Sequence, residues 1–209
     1  MTTDPRAPPA DRVGTATDEV YPVREDTLVL LPFARSSARG SRVLEIGTGN
    51  GRLALEAARA GARVVATDRN PHALRRLVRL ARAERLPLDA VRTDLARGLG
   101  RFDRILANPP YLPTRAAERD PDPWQNLALD GGPDGCRTTA RILRALPVHL
   151  TATGVAFVLV SSRQDPRRLH RLRDRWVARG GTVDRAAYRD LEGERLEVWA
   201  FAPRRREGA

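Results

Sequence analysis

Lysine is absent from this chain: all 37 basic residues are arginine, against 26 acidic residues, and the net charge is +11. Such a balance is typical of proteins that bind nucleic acid or the ribosome, but it also arises when arginine replaces lysine as the general solvated cation. The arginines are spread along the chain and are not gathered in one stripe, which favours compositional bias. Charge alone therefore assigns no partner.

Cysteines, long apolar runs and a secretory signal are also lacking. Cys136 is the single cysteine, which excludes an internal disulfide and agrees with a reducing compartment. The longest apolar run, 155–160, has six residues, which suits a buried strand and is far too short to span a bilayer. The first eleven residues are Pro-rich and polar, unlike a signal peptide. We therefore expect a cytoplasmic protein without a membrane segment.

Apolar strands alternate with amphipathic helices between residues 19 and 202, which predicts one domain between a flexible tail (1–18) and a basic tail (203–209). Strands are predicted at 42–46, 63–67, 88–93, 102–107, 154–160, 182–188 and 195–202, and helices at 52–60, from 70, at 138–150 and from 166. A long loop connects 111 to 137. The last two strands are joined by a short turn and must pair antiparallel. The predicted fold is α/β: a Rossmann-like, seven-stranded, mostly parallel sheet with a C-terminal antiparallel hairpin and helices on both faces.

Four features directly follow predicted strands: the turn Gly47-Thr48-Gly49-Asn50-Gly51, then Asp68, Asp94 and Asn108. Because ligands of open α/β sheets bind beyond the carboxyl ends of the strands, we expect these features to share one site. Glycines such as Gly47 and Gly49 let a backbone approach a ligand closely. Asp68 stands where a carboxylate would accept hydrogen bonds from both hydroxyls of a ribose.

The residues around the glycine turn favour S-adenosylmethionine over a dinucleotide. Arg52 occupies the position of the third glycine in the Gly-x-Gly-x-x-Gly fingerprint of dinucleotide sites. Glu45, two residues before Gly47, would repel a pyrophosphate but attract a cationic amino group. S-adenosylmethionine has no phosphate and carries both an ammonium and a sulfonium. Asp94 could then bind the adenine amine.

Asn108-Pro109-Pro110-Tyr111 is the candidate catalytic corner. The Asn108 side-chain oxygen and the Pro109 carbonyl can each accept one N–H of a planar NH2 group, and the Tyr111 ring can pack on its flat face. The prolines restrict the backbone, so this geometry is preorganised. The corner suits a carboxamide or the exocyclic amine of a base and predicts methyl transfer to nitrogen, without a general base.

Several acceptors and one non-enzymatic function remain open on these residues. The acceptor is a protein amide, the N6 of adenine or N2 of guanine in nucleic acid, or a small molecule; the alternative is a cofactor- or RNA-binding module without activity. Residues 111–135 hold two arginines and five acids, a net charge of −3, where the phosphates of a nucleic acid would have to pass. This charge favours a protein loop as the acceptor.

The remaining conspicuous side chains are expected to be structural. His72, His149 and His170 lack metal-ligand spacing, so no metal site is predicted. Trp124 lies in the acidic segment, where a contact with substrate and a role in loop packing are equally open. The aromatic residues expected in the core are Trp176, Tyr188, Trp199 and Phe201.

Four segments of the chain resemble the class I S-adenosylmethionine-dependent methyltransferases, and within them the release-factor glutamine N5-methyltransferases, particularly the short branch of archaea and eukaryotes. The segments are Val20-Tyr21-Pro22-Val23-Arg24-Glu25-Asp26-Thr27, Val43-Leu44-Glu45-Ile46-Gly47-Thr48-Gly49, Asn108-Pro109-Pro110-Tyr111 and Leu129-Asp130-Gly131-Gly132-Pro133-Asp134-Gly135. The resemblance implies that Asn108 binds the acceptor amide. The resemblance implies cofactor contacts by Thr27, Glu45, Gly47, Asp68, Asp94 and Leu95. Two further cofactor contacts are expected, Gly49 in the glycine turn and Asn108 in the corner.

The resemblance also implies protein partners. The substrate would be the glutamine of a Gly-Gly-Gln loop in a translation release factor, and in the short branch a small zinc-binding activator subunit covers an apolar edge of the domain. Two departures stand out. Val23-Arg24 replace the usual Pro-Ala before Glu25-Asp26-Thr27, and the separate N-terminal substrate-binding domain of the bacterial branch has no counterpart in these 209 residues.

Overall fold

The computed structural model describes residues 24–204. The expectations for the tail at 1–18, for the domain start at 19–23 and for residues 205–209 of the basic tail lie outside the described residues.

The described chain forms one seven-stranded sheet flanked by α-helices. The strands are Arg42–Ile46 (β1), Arg63–Asp68 (β2), Leu88–Arg92 (β3), Phe102–Ala107 (β4), Leu150–Ser161 (β5), Thr182–Leu191 (β6) and Glu194–Ala202 (β7). The helices are Glu25–Arg35 (α1), Arg52–Arg59 (α2), Pro71–Ala83 (α3), Pro123–Leu129 (α4), Arg137–His149 (α5) and Pro166–Val177 (α6). The strand order is β3-β2-β1-β4-β5-β7-β6, parallel except for β7, which runs antiparallel to both neighbours. The predicted fold is confirmed.

Alternation along the strands divides the core between the two faces of the sheet. In β4, Ile105 is buried with the apolar sides of α5 and α6, while its neighbour Leu106 is buried with α1, α2 and α3. Both side chains are fully buried. A parallel sheet covered in this way leaves the carboxyl ends of β1 to β4 free of helices, and the loops at that edge build the site.

Helix α1 was not predicted, because Pro32 and the nearly continuous apolar run around it hide the helical period. Tertiary contacts hold it: Phe33 stacks on Phe157 of β5 with ring centroids 4.3 Å apart, and the half-buried Arg104 donates to the Phe33 carbonyl. The predicted long loop also contains a short helix, α4. Both additions lie beside the site.

Two other predictions differ from the structure. Strand β5 begins at Leu150 instead of 154, because a register shift in its pairing with β4 accommodates the extra residues before Gly154. Tyr188 is not in the core: it is 58% exposed on the edge strand β6, where Arg185 and Arg195 lie over its ring. An edge strand has one side without a neighbouring strand, so strand character alone did not imply burial. No helix among the described residues is long and apolar enough to cross a membrane.

Candidate active site

A cavity of about 690 Å³ opens beyond the carboxyl ends of β1, β2, β3 and β4. This size is typical of a site for a cofactor or small ligand. Every residue predicted for the site lines this cavity: Thr27, Glu45, Gly47, Gly49, Asp68, Asp94, Leu95, Asn108, Pro109, Pro110 and Tyr111. The structure therefore brings together the four strand ends that the sequence analysis grouped.

The glycine turn after β1 has the backbone that only glycine adopts readily. Gly47, Gly49 and Gly51 have φ of 74°, 49° and 81°, all in the left-handed region. A Cβ on Gly47 or Gly49 would meet no atom within 4 Å, whereas one on Gly51 would lie 2.8 Å from Cδ1 of Leu77. The first two glycines thus face open space in the cavity, while Gly51 lets α3 pack against the turn.

Glu45 holds the turn in place from below. Its Oε2 accepts hydrogen bonds from the Thr48 hydroxyl (2.6 Å) and the Ala54 amide (3.0 Å), and the residue is only 3% exposed. Burial raises the pKa of the Glu45 carboxyl to about 8, against the lowering effect of these two hydrogen bonds. The sequence analysis considered this carboxylate only as a partner for a cation, so its bonds to the turn and to α2 were missed.

Asp68 ends β2 in a fixed orientation. Its Oδ2 accepts from the Gly49 amide (2.9 Å) and its Oδ1 from the Asn70 amide (2.8 Å). Burial is the largest influence on the Asp68 carboxyl and raises its pKa, while these hydrogen bonds oppose the rise. Each carboxylate oxygen retains a second lone pair, so a pair of hydroxyls can still be accepted. The predicted N-cap is confirmed, since the Asn70 side chain accepts from the His72 amide.

Asp94 follows β3 and makes a contact that the sequence did not reveal. Its Oδ2 lies 2.5 Å from a guanidinium nitrogen of Arg141 in α5, which lines the same cavity. The next residue, Leu95, has φ of 58°, a left-handed conformation that is unusual for a side chain of this kind. The two partners are 47 residues apart, so no local pattern could have paired them.

Helix α1 brings Thr27 and Asp26 to the cavity, each 5% exposed. The Thr27 amide and hydroxyl both donate to Oδ1 of Asp26, at 2.6 and 3.3 Å. Asp26 was not among the predicted site residues, although it stands in one of the quoted segments. Asp26 and Thr27 are thus two cavity residues that α1 contributes.

Asn108 presents an oxygen without a partner. Its Oδ1 is inaccessible to water and accepts no hydrogen bond from any residue between 24 and 204. Leaving a buried acceptor unpaired costs about 1–3 kcal/mol, so such an atom in a ligand cavity indicates a donor that arrives with the ligand. Pro109, Pro110 and Tyr111 continue along the cavity wall.

The segment Leu129–Gly135 (LDGGPDG) packs directly behind this corner. The Gly131 amide donates to the Leu112 carbonyl at 2.9 Å, and a Cβ on Gly131 would lie 2.8 Å from the carbonyl carbon of Tyr111. A Cβ on Gly135 would lie 2.4 Å from the Tyr111 oxygen. Only glycine allows this close approach, so the segment supports the backbone of the corner.

Asp130 connects that segment to Arg119 and Arg137 by ion pairs. It is 5% exposed and pairs with Arg119 (3.0 Å) and Arg137 (2.9 Å), while its Oδ1 accepts from the Gly132 amide. Burial favours a higher pKa for Asp130, but the hydrogen bonds from Arg137 and Gly132 and the two positive charges outweigh it and lower the pKa. Asp130 thereby offsets one of the two positive charges that Arg119 and Arg137 bring to the entrance of the corner.

Comparison with known proteins identifies the family. The model of the methyltransferase small domain matches residues 25–123. A putative protein N5-glutamine methyltransferase of Methanocaldococcus jannaschii is 38% identical over 146 residues, which cover 69% of this chain and 73% of that protein. The chain belongs to the protein N5-glutamine methyltransferases.

Two further relatives show that the chain is similar both to longer proteins and to a protein of about its own length. A release factor glutamine methyltransferase of Rhodospirillum rubrum is 40% identical over 146 residues, covering 64% of this chain but 44% of that protein. The chain spans about half the length of the bacterial relatives of this kind that it matches. The E. cuniculi Mtq2–Trm112 complex, whose structure is described as responsible for methylating the eRF1 translation termination factor, has a TM-score of 0.67 at 25% identity, covering 88% of this chain and 99% of that chain. The expected resemblance and the methyltransferase class are confirmed.

Helix α4 places Trp124 on the cavity wall of the methyltransferase. The Trp124 ring meets the His72 ring edge-on, with centroids 5.9 Å apart. Loop packing is thus part of its role, and its position also allows contact with a ligand. Nothing in the periodicity of the acidic segment predicted this helix, although Asp122 at its N-cap and Pro123 at its first position are typical helix-start residues.

Proposed function

We propose that this methyltransferase transfers a methyl group from S-adenosylmethionine to the side-chain amide of a glutamine, in the Gly-Gly-Gln loop of a translation release factor. The observation that carries the choice of a nitrogen acceptor is the buried, unpaired Oδ1 of Asn108 in the cavity. The names of the relatives support the choice of a glutamine in a release factor.

The residues of the cavity suit the proposed cofactor. Asp68 is oriented to accept from the two ribose hydroxyls, and the Gly47 to Gly49 turn leaves room for a ligand against the backbone. Asp26 supplies negative charge for an ammonium group, the Glu45 carboxyl can accept a hydrogen bond from it, and Asp94 is available to an adenine amine. When bound, S-adenosylmethionine supplies a methyl group already activated by the positive sulfur.

The acceptor amide is positioned by two oxygens of the corner. The Asn108 Oδ1 and the Pro109 carbonyl each accept one N–H of the amide, which fixes the plane of the nitrogen. An amide nitrogen is a weak nucleophile because its lone pair is delocalised into the carbonyl. Positive charge develops on this nitrogen as it attacks, so both hydrogen bonds become stronger in the transition state than in the ground state. No side chain needs to act as a general base before the attack, because the methylated amide is a strong acid and releases one N–H proton to water afterwards.

The charges at the entrance favour a protein loop over a nucleic acid. Arg119 and Arg137, which line the cavity, share the carboxylate of Asp130, and the segment 111–135 that holds Arg119 and Asp130 carries a net charge of −3. A base-modifying enzyme needs unpaired cations along the path of the strand as well as a pocket for the flipped base. Methylation of adenine N6 or guanine N2 is the alternative that the experiment below distinguishes.

A small zinc-binding activator subunit is proposed as a partner at the β3 edge of the sheet. A shallow groove there has apolar walls from Leu74, Val78 and Ala90, and its rim carries Arg75, Arg79 and Arg82. The groove thus suits an apolar surface bordered by acidic residues. On co-expression with such a subunit, Val78→Glu should reduce co-purification at least tenfold, while Val177→Glu, at an exposed valine of α6, should not.

The experiment for the reaction measures how much label enters release factor, tRNA, rRNA or DNA. Each is incubated separately with the enzyme, the partner subunit and radiolabelled S-adenosylmethionine. Label should enter the release factor and disappear when the glutamine of its Gly-Gly-Gln loop is replaced. Asn108→Ala should lower transfer about 100-fold or more, the size typical of losing one preorganised hydrogen bond to the transition state, and leave cofactor affinity within a few-fold. Asp68→Ala should instead weaken cofactor binding. Label in nucleic acid, or full transfer by Asn108→Ala, would refute the proposed acceptor site.

A further inference from the structure

The ion pair between Asp94 and Arg141 joins two elements across the rim of the cavity. Asp94 follows β3, whereas Arg141 lies in the second turn of α5, and both line the cavity. Only Oδ2 of Asp94 is engaged by the guanidinium, at 2.5 Å. The other carboxylate oxygen, Oδ1, therefore keeps its capacity to accept hydrogen bonds.

The pair contributes little to the stability of the fold. The side chains of Asp94 and Arg141 are 42% and 38% exposed, and ion pairs with this exposure contribute about 0–1 kcal/mol because water screens them. A second feature at the same point is the left-handed backbone of Leu95, with φ of 58°, in a residue whose side chain packs against the core. A strained backbone of this kind is typical of binding sites. Both observations connect the strand end at Asp94 with ligand binding.

We propose that Arg141 is a positioning residue that selects an aminopurine in the cofactor. By holding Oδ2, its guanidinium fixes the rotation of the Asp94 carboxylate, so that Oδ1 accepts a hydrogen bond from the exocyclic amine of the base. An oxopurine carries a carbonyl oxygen in place of that amine, and two acceptors would then face each other. A buried polar group left without its partner is what makes such sites selective. The inference rests on the proposed cofactor.

The experiment measures discrimination between two ligands that differ at this group and at the adjacent N1, which carries a hydrogen only in the oxopurine. Calorimetry gives the Kd of S-adenosylhomocysteine and of S-inosylhomocysteine for wild type, Asp94→Asn, Arg141→Met and the double variant. Wild type should favour the adenine ligand by about 100-fold. Arg141→Met should lower this ratio about tenfold, and the double variant should lose little more than Asp94→Asn alone, because the two residues act through one contact.

Arg144→Met is the matched control. Arg144 lies on the same helix, is exposed, and forms no ion pair with any described residue, so its removal should leave the ratio of the two Kd values unchanged. Arg141→Lys, which retains the charge, should restore part of the ratio. Should Arg141→Met not fold, Arg141→Gln replaces it with a polar side chain of similar reach.

The outcomes separate this inference from the proposed function. If wild type binds the adenine ligand and Arg141→Met keeps the full ratio, Arg141 does not position Asp94 and the inference is overturned. Tighter binding of both ligands by Arg141→Met would also overturn it, since the pair would then block the site. If wild type binds neither ligand, the proposed cofactor fails together with the inference. A ratio that falls in Arg141→Met, recovers in part in Arg141→Lys and is unchanged in Arg144→Met supports it.

Discussion

Glu45 and Asn108 are both polar side chains whose oxygens are buried at the cavity, but they differ in how those oxygens are used. Two donors of the glycine turn and α2 satisfy Oε2 of Glu45, while Oδ1 of Asn108 accepts nothing from residues 24–204. The first arrangement stabilises the turn. The second leaves a buried acceptor available to a hydrogen-bond donor of the ligand. We therefore expect Asn108 to contribute to the reaction and not to the stability of the fold.

The protonation of Glu45 makes folding stability depend on pH. Its folded-state pKa is raised to about 8 from an ordinary value of 4.5, so between these values the folded protein retains a proton that the unfolded chain releases. Stability therefore falls as the pH rises from 4.5 to 8, and the contribution of this residue to the slope is at most about 1.4 kcal/mol per pH unit. Glu45→Gln mimics the protonated form and should flatten the curve in this range.

Urea unfolding between pH 5 and 8.5 checks this expectation. The difference between wild type and Glu45→Gln isolates the one carboxyl from other titrating groups. Glu192→Gln, in the exposed turn between β6 and β7, should give a curve parallel to that of wild type. Parallel curves for wild type and Glu45→Gln would mean that the buried carboxyl is already ionised across the range.

At the scale of elements, the Asn108 corner depends on a segment that packs behind it. The Leu129–Gly135 segment packs its glycines against the backbone of Tyr111 and pairs with Leu112. Gln164, 2% exposed, extends this support by donating to the Gly135 carbonyl at 2.8 Å. The rigidity of the corner thus comes from the prolines and from the packing behind them.

Gly131→Ala tests this support with a minimal change. The added methyl group would lie 2.6 Å from the Gly135 oxygen and 2.8 Å from the Tyr111 carbonyl carbon, so the backbone of the corner has to move. We expect methyl transfer to fall at least tenfold, cofactor Kd to change only a few-fold, and stability to fall by about 1–3 kcal/mol. Steady-state kinetics and calorimetry, well below the melting temperature, measure the two effects separately.

Gly100→Ala is the control for that substitution. Neither glycine has a left-handed φ, and a Cβ on Gly100 would meet only a flexible Arg42 nitrogen at 3.5 Å. Its transfer rate and cofactor affinity should match those of wild type. Equal behaviour of the two variants, or a loss of cofactor binding as large as the loss of transfer, would contradict a role of Gly131 in shaping the acceptor corner.

Elements whose sequence pattern is local were predicted well, and those held by tertiary contacts were not. Strands β1 and β4 agree with their predicted bounds because each is a short, largely apolar segment that ends at a site residue, Gly47 after β1 and Asn108 after β4. Helix α1 lacks a clean helical period, and its Phe33 is held by Phe157, more than 120 residues away. Helix α4 buries no residue, so no apolar stripe marked it.

Across the whole molecule, the site could be predicted because the topology is regular. Once the strands are parallel, the residues that follow β1, β2, β3 and β4 must meet at one edge, and Gly47, Asp68, Asp94 and Asn108 do so. Charge contacts could not be predicted in the same way. Arginine occurs throughout the chain, and only the folded arrangement singles out Arg141 as one that faces the cavity. Composition therefore obscured the arginine to which we assign a role in cofactor selection.

The single cysteine reports on opening of the whole molecule. Cys136 is 1% exposed at the start of α5, and burial, with the charges of Asp134 and Asp165, raises the pKa of its thiol to about 11. The thiolate is the reactive form, so native protein at pH 8 should react with a disulfide reagent only through opened molecules. Unfolded chains in urea should react at once, with one thiol per chain.

Cofactor binding should slow this reaction if opening disrupts the cavity. Ligand at 100 times its Kd stabilises the folded state by about 2.7 kcal/mol, which corresponds to roughly 100-fold fewer open molecules. S-adenosylhomocysteine at that concentration should therefore slow the labelling of Cys136 about 100-fold in wild type. In Asp68→Ala the same concentration should slow it far less, because the proposed ribose contact is lost. A labelling rate that the ligand does not change would mean that the start of α5 opens without the cavity, and that the methyltransferase does not unfold as one unit.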